Sequence, residues 1–223
     1  MQDQSTTLEW RDGRVPVSTR FDDPYFSLDN GLEETRHVFL AGNDLPARFR
    51  DGFHVAELGF GTGLNLLVTW AAWREAGVPG RLRFTSFEAF PMTLGDMGAA
   101  MRAFPHVEDL AARLLAALAA QGPVYDLAEV ELTLITGDAR ETLPAWEGRA
   151  DAWYLDGFSP AKNPELWGEA LMAEVGAHTA AGGTAATYTA AGHVRRSLEA
   201  AGFDVTRVPG FGRKRHMTRA TLR

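Results

Sequence analysis

The stretch Val55-Ala56-Glu57-Leu58-Gly59-Phe60-Gly61-Thr62-Gly63-Leu64-Asn65 constrains this chain more than any other. An apolar run meets three glycines at alternate positions and then an apolar helical pattern, so the segment reads strand, turn, helix. Glycines let the backbone approach a ligand closely, and the helix start offers it unpaired N–H groups. The dinucleotide fingerprint G-x-G-x-x-G requires glycine at position 64, where this chain has leucine, so NAD and FAD are disfavoured. Glu57, Gly59, Phe60, Gly61, Thr62, Gly63 and Asn65 are therefore candidate contacts for another nucleoside cofactor. Tight helix-on-sheet packing without any ligand would use the same glycines, so the rest of the chain has to discriminate.

Strands expected near residues 53–59, 82–89, 131–137, 151–156 and 183–189 alternate with helices near 63–76, 93–103, 107–121, 164–180 and 191–201. This alternation predicts an α/β Rossmann-like fold, with a mostly parallel sheet and helices on both faces. Ahead of it, Leu8 to Val17 reads as a hairpin turning at Asp12-Gly13. Asp29-Asn30-Gly31 then starts a helix, with Leu32, Thr35, Arg36, Phe39 and Leu40 at helical spacing and Gly42 as its C-terminal cap. One or two closing strands are expected from Asp204 onward, around Pro209-Gly210. The division is an N-terminal extension over 1–50, packed on a core domain over 51–223.

At the next strand ends the sequence supplies carboxylates. Glu88 follows the glycines by about 25 residues, where an acid can accept both ribose hydroxyls of a nucleoside. Asp138 closes the third strand and is placed to receive an adenine amino group. Asp156 ends the fourth strand, in Leu155-Asp156-Gly157-Phe158-Ser159-Pro160-Ala161-Lys162-Asn163-Pro164. There it can accept hydrogen bonds from an attacking amine and take up the released proton, with Phe158 stacking on a planar base. The competing structural reading has Asp156 and Asn163 satisfying turn and helix-end N–H groups, with Phe158 in the core. Asn163-Pro164 suits an N-cap and first helical position.

Composition removes other classes. With 223 residues, 45% hydrophobic and 23% charged, one soluble domain is expected. Cysteine is absent, and the six histidines show no metal-binding spacing, so no metal is expected. No apolar leader or membrane span is legible, which makes the cytoplasm the expected location. The net charge of −7 speaks against a general nucleic-acid binder. Yet from His193 onward Arg195, Arg196, Arg207, Arg213, Lys214, Arg215, Arg219 and Arg223 face only Glu199 and Asp204, a basic end on an acidic body.

Six blocks resemble one family, the methyltransferase domain of bacterial MnmC and its stand-alone counterpart MnmD. They are Phe21-Asp22-Asp23-Pro24-Tyr25-Phe26-Ser27, Asn30-Gly31-Leu32-Glu33-Glu34-Thr35-Arg36, the glycine loop, Phe87-Glu88-Ala89-Phe90-Pro91, the Asp156 loop and Gly210-Phe211-Gly212-Arg213-Lys214-Arg215. The resemblance implies a class I S-adenosyl-L-methionine-dependent fold and methylation of the primary amine of 5-aminomethyl-(2-thio)uridine at the wobble position of tRNA. It implies that the glycine loop and Glu88 hold the cofactor and that Asp156, itself a candidate cofactor contact, lies at the transfer centre. Tyr25, Phe26, Phe158, Lys162, Arg213, Lys214 and Arg215 are the expected substrate contacts. The flavin oxidase domain of the bifunctional proteins is not legible here. A separate FAD-dependent oxidoreductase, or another enzyme, is then expected to supply the amine. The rival readings are a methyltransferase acting on a different amine and a non-catalytic S-adenosylmethionine-binding paralogue.

Overall fold

The computed structural model describes residues 7–27, 30–120 and 122–223. Strands β1 (Leu8–Arg11) and β2 (Val15–Ser18) form the expected hairpin, with Asp12 and Gly13 both at positive φ. A short third strand, β3 (Asp23–Pro24), pairs antiparallel with β2 and makes this a three-stranded sheet. Helix α1 (Gly31–Thr35) runs on through a π turn over Arg36–Leu40 and a 3-10 turn over Ala41–Asn43. Gly42 is not its cap. The left-handed residue that ends the run is Asp44, while Gly42 is buried where an added Cβ would lie 2.7 Å from the Ala186 Cβ. The expected helix start at Asn30 stands, without a side-chain cap bond; Asp29 lies outside the described residues.

The main sheet begins with β4 (His54–Leu58), whose five residues are all buried, as a central parallel strand covered on both faces requires. Then come α2 (Leu64–Ala76), β5 (Leu82–Glu88), α3 (Leu94–Met101) and α4 (Glu108–Leu118). Helix α4 buries Leu110, Ala111, Leu114 and Leu118 along one stripe. It ends short of Gln121, which lies outside the described residues. The chain continues through β6 (Val124–Asp126), β7 (Val130–Thr136), α5 (Ala139–Thr142), β8 (Ala150–Leu155), α6 (Glu169–Ala177), β9 (Thr179–Thr187), α7 (Gly192–Ala200), β10 (Phe203–Pro209) and β11 (His216–Leu222).

The sheet order is β10-β11-β9-β8-β4-β5-β7-β6. Pairings from β7 through β5, β4 and β8 to β9 are parallel, and both edges are antiparallel. The winding therefore reverses between β4 and β8, which opens the crevice where ligands of such sheets bind. The helix expected over 164–180 is corrected. Pro164–Trp167 makes a 3-10 turn, Gly168 breaks it with extended φ −70 and ψ 154, and α6 follows. Thr179 already pairs with Ala150, so the next strand starts four residues before the expected 183. Short strand β6 falls outside the strands expected from the sequence.

Candidate functional site

Three loops at the carboxyl ends of β4, β5 and β8 meet over the winding reversal. The glycine loop takes positive φ at Gly59 (+87°), Gly61 (+52°) and Gly63 (+81°), backbone that other residues adopt only under strain. A Cβ at Gly59 would lie 3.2 Å from the Asp156 carbonyl oxygen, and one at Gly61 would lie 3.0 Å from the Tyr25 ring. The glycines thus bring the loop against both β8 and the N-terminal segment. Gly63, left-handed, leads directly into α2.

Glu88 closes β5. Its Oε2 accepts the Gly61 N–H at 2.9 Å and its Oε1 accepts the Phe90 N–H at 2.8 Å. The backbone N–H groups of Phe60 and Ala89 also face this carboxylate. Desolvation pushes this carboxyl above its ordinary range despite those bonds. Asp156, half-buried, is clamped from both sides. The Asn65 amide donates to its Oδ2 at 2.8 Å and the Gly157 N–H donates to its Oδ1 at 2.8 Å. Burial raises the Asp156 carboxyl to about 6, against the pull of those donors and of Lys214.

Asn65 is the hinge of a buried polar chain. The same amide donates to Glu57 Oε1 at 2.8 Å, its oxygen accepts the Thr35 hydroxyl at 3.0 Å, and Ser86 donates to Glu57 Oε2 at 2.6 Å. Glu57 is fully buried, and desolvation moves its carboxyl to about 8. It is joined to the crevice through Asn65, whose amide also donates to Asp156. The sequence reading places Glu57 among the cofactor contacts, whereas its partners here are Asn65 and Ser86.

An aromatic wall borders the crevice. Phe158 stacks on Phe21 with centroids 4.6 Å apart and meets the edge of Tyr25 at 5.0 Å. Phe26 packs on Phe104 at 4.9 Å. The cleft enclosed by these elements is about 1300 Å³ and is lined by Gly59, Phe60, Gly61, Thr62, Asn65, Glu88, Asp138, Asp156, Tyr25, Phe26, Phe158, Arg213 and Lys214. Glu57, Gly63, Lys162 and Arg215 do not line it. Lys162 is tied to Asp22, with its ammonium on the Asp22 carbonyl and 3.2 Å from the carboxylate. Asp138 caps α5 and is held 2.5 Å from the Arg140 guanidinium, which keeps its carboxyl below the usual range.

Several lining residues escape the sequence reading: Glu34, Thr35, Phe21, Phe90 and Tyr188. The first four lie inside the resemblance blocks, which was the available signal. Tyr188, just past β9, carries none; its hydroxyl donates to the Gly157 carbonyl at 2.8 Å. The residues present fit S-adenosyl-L-methionine: Gly59 to Thr62 line the cleft at the entry to α2, and Glu88 lines it beside them with a carboxylate of the kind that accepts vicinal ribose hydroxyls.

Compared with known families, residues 103–223 match the one described as S-adenosyl-L-methionine-dependent methyltransferase. The tRNA 5-methylaminomethyl-2-thiouridine biosynthesis bifunctional protein MnmC of Stutzerimonas stutzeri is 45% identical over 98% of this chain and 35% of its own length. That of Ectopseudomonas mendocina is 48% identical over 94% of this chain and 34% of its own length. The chain thus spans about a third of these relatives. The crystal structure of MNMC2 from Aquifex aeolicus superposes with a TM-score of 0.78 and 27% identity, covering 100% of this chain and 72% of that one. With more than half of its residues matching that family, and with a fold and a cleft that agree, the chain belongs to the S-adenosyl-L-methionine-dependent methyltransferase family.

Proposed function

We propose that this chain methylates the primary amine of 5-aminomethyl-(2-thio)uridine at the wobble position of tRNA, giving 5-methylaminomethyl-(2-thio)uridine. One observation carries the reading. Four of the sequence blocks that carry the resemblance to MnmC and MnmD contribute residues to a single cleft: Phe21–Ser27, Asn30–Arg36, the Asp156 loop and Gly210–Arg215. The relatives from Stutzerimonas stutzeri and Ectopseudomonas mendocina are named for biosynthesis of 5-methylaminomethyl-2-thiouridine in tRNA, which supports it.

In this reading Glu88 receives the ribose hydroxyls, and the loop from Gly59 to Gly63 and Asn65 lies along the cofactor. Asp138, held as it is by Arg140, borders the adenine. S-adenosyl-L-methionine, when bound, supplies an electrophilic methyl on a sulfonium. Asp156 accepts a proton from the substrate amine and aims the nitrogen lone pair; its clamped oxygens cannot rotate away. Phe158, Tyr25 and Phe26 enclose the base, and Arg213 and Arg215 meet phosphate. Lys162 serves indirectly, fastening the Asp22–Asp23 segment to the Asp156 loop. Residues 51–223 are the methyltransferase domain and 1–50 an extension that supplies part of its cleft wall. An FAD-dependent oxidoreductase or another enzyme supplies the amine, and the reaction runs in the cytoplasm. Among the described residues no helix is long and apolar enough to cross a membrane.

The test is incubation with labelled S-adenosyl-L-methionine and bulk tRNA from cells unable to complete this modification, followed by digestion to nucleosides. Label in 5-methylaminomethyl-(2-thio)uridine is the expected result. RNA that stays unlabelled while the cofactor binds would return the protein to the other-amine or non-catalytic reading.

A further inference from the structure

The turn between β10 and β11 does not simply present its basic residues to solvent. It is closed by the Gly210 N–H on the Arg215 carbonyl at 3.2 Å and the Lys214 N–H on the Phe211 carbonyl at 3.0 Å, with Gly212 at positive φ. From it Lys214 turns inward. Its ammonium lies 2.7 Å from Glu34 Oε1 and 4.0 Å from the centroid of the Tyr188 ring, so a carboxylate and an aromatic face hold one primary ammonium between them. Glu34, Tyr188 and Lys214 all line the same cleft as Asp156. Tyr188 is anchored there through the Gly157 carbonyl, one residue from Asp156.

A carboxylate beside an aromatic face is a general receptor for an alkylammonium ion, and the group it holds here is a primary amine on a flexible tether. We infer that Glu34 and Tyr188 form a subsite for a primary ammonium group, and that Lys214 fills it as a tethered stand-in until an incoming amine displaces it. On the proposed function above, that amine is the aminomethyl group of the substrate uridine, delivered beside Asp156. The displaced Lys214 then joins Arg213 and Arg215 on the RNA-facing turn. Phosphate contact and access to the amine subsite are thereby linked, and an RNA that engages the turn opens the site it needs.

The test is a titration followed on tyrosine ring signals by NMR, which the four tyrosines of the chain leave well resolved, with Tyr188 assigned by Tyr188→Phe. The probes are methylammonium, 5-aminomethyluridine and 5-methyluridine. Lys214→Ala is expected to bind methylammonium about tenfold more tightly than the parent protein, the equivalent of losing one competing cation contact. Adding Glu34→Gln to that variant abolishes the gain. 5-Aminomethyluridine gains by the same factor and 5-methyluridine does not. Equal methylammonium affinity with and without Lys214, or a gain that survives Glu34→Gln, overturns the subsite. If methylammonium behaves as expected and 5-aminomethyluridine binds no better than methylammonium, the subsite stands and the uridine reading falls. Should the double variant fail to fold, Glu34→Gln alone decides: it must remove the preference for 5-aminomethyluridine over 5-methyluridine.

Discussion

Asp156 meets two opposed demands. Burial destabilises its anion, and the Asn65 amide and Gly157 N–H, each at 2.8 Å, stabilise it. The balance leaves a carboxyl near 6, basic enough to take a proton yet ionised at neutral pH. Asp156→Asn is expected to lower kcat by about 100-fold or more, the usual range for a lost general base, while cofactor affinity measured by calorimetry changes little. The parent rate should rise as pH passes through 6 and the carboxylate appears, and a pH–rate profile flat between 5 and 7 would remove Asp156 from the proton step. Glu57 makes a different prediction. Its folded-state carboxyl, near 8 and raised from an ordinary 4.5 by desolvation, binds more protons in the folded than in the unfolded chain between those values. Stability must therefore fall as pH rises through that window. Glu57→Gln keeps the shape and removes the titration, so its melting temperature should decline less than the parent's from pH 5 to pH 8. Parallel curves would show that Glu57 stays ionised.

Elements that bury side chains by a regular period are those the sequence announces. All five β4 residues are apolar or internally paired, and α4 carries its stripe of Leu110, Leu114 and Leu118, so both are legible from pattern alone. Gly42 shows where that legibility ends. By type and position it reads as a cap, yet its use is contact: the turn over Ala41–Asn43 lies on β9 so closely that no Cβ fits against Ala186 and Met217. Only the three-dimensional approach of two distant segments reveals this. Gly42→Ala should cost about 1–3 kcal/mol by overpacking, seen as a shifted denaturant midpoint with an unchanged slope; an unaltered midpoint would mean the turn moves off the sheet freely. The same limit explains the helix expected over 164–180. Its composition is helical throughout, but Gly168 breaks it and the pairing of Thr179 with Ala150 claims the end for the sheet. Candidate site residues on the glycine loop and strand ends were readable because topology fixes where strand ends go. Tyr188 and the inward turn of Lys214 were not, since both depend on which loop folds over which.

Across the whole molecule charge is segregated, and the structure divides the basic end further. Lys214 pairs with Glu34, Arg219 with Asp44 at 2.6 Å, and Arg223 with Asp204 at 2.7 Å, so three of the five basic residues of the last turn and strand are internally paired. Among the described residues, Arg213 and Arg215 form no ion pair, and both are exposed on the turn at the rim of the cleft. On the proposed function, a chain of net charge −7 has to concentrate its attraction for tRNA at a few such points. Counterion release makes this measurable, because each phosphate neutralised adds roughly 0.7–0.9 to the slope of log affinity against log salt. Replacing Arg213 and Arg215 by alanine together should weaken tRNA binding at low salt and flatten that slope by about 1–2, with S-adenosyl-L-methionine affinity intact. Replacing Arg219 should change the slope little, since its charge is already matched by Asp44. If the Arg219 variant loses as much as the pair, the RNA does not approach over the turn, and the amine must reach Asp156 from the side of the N-terminal sheet instead.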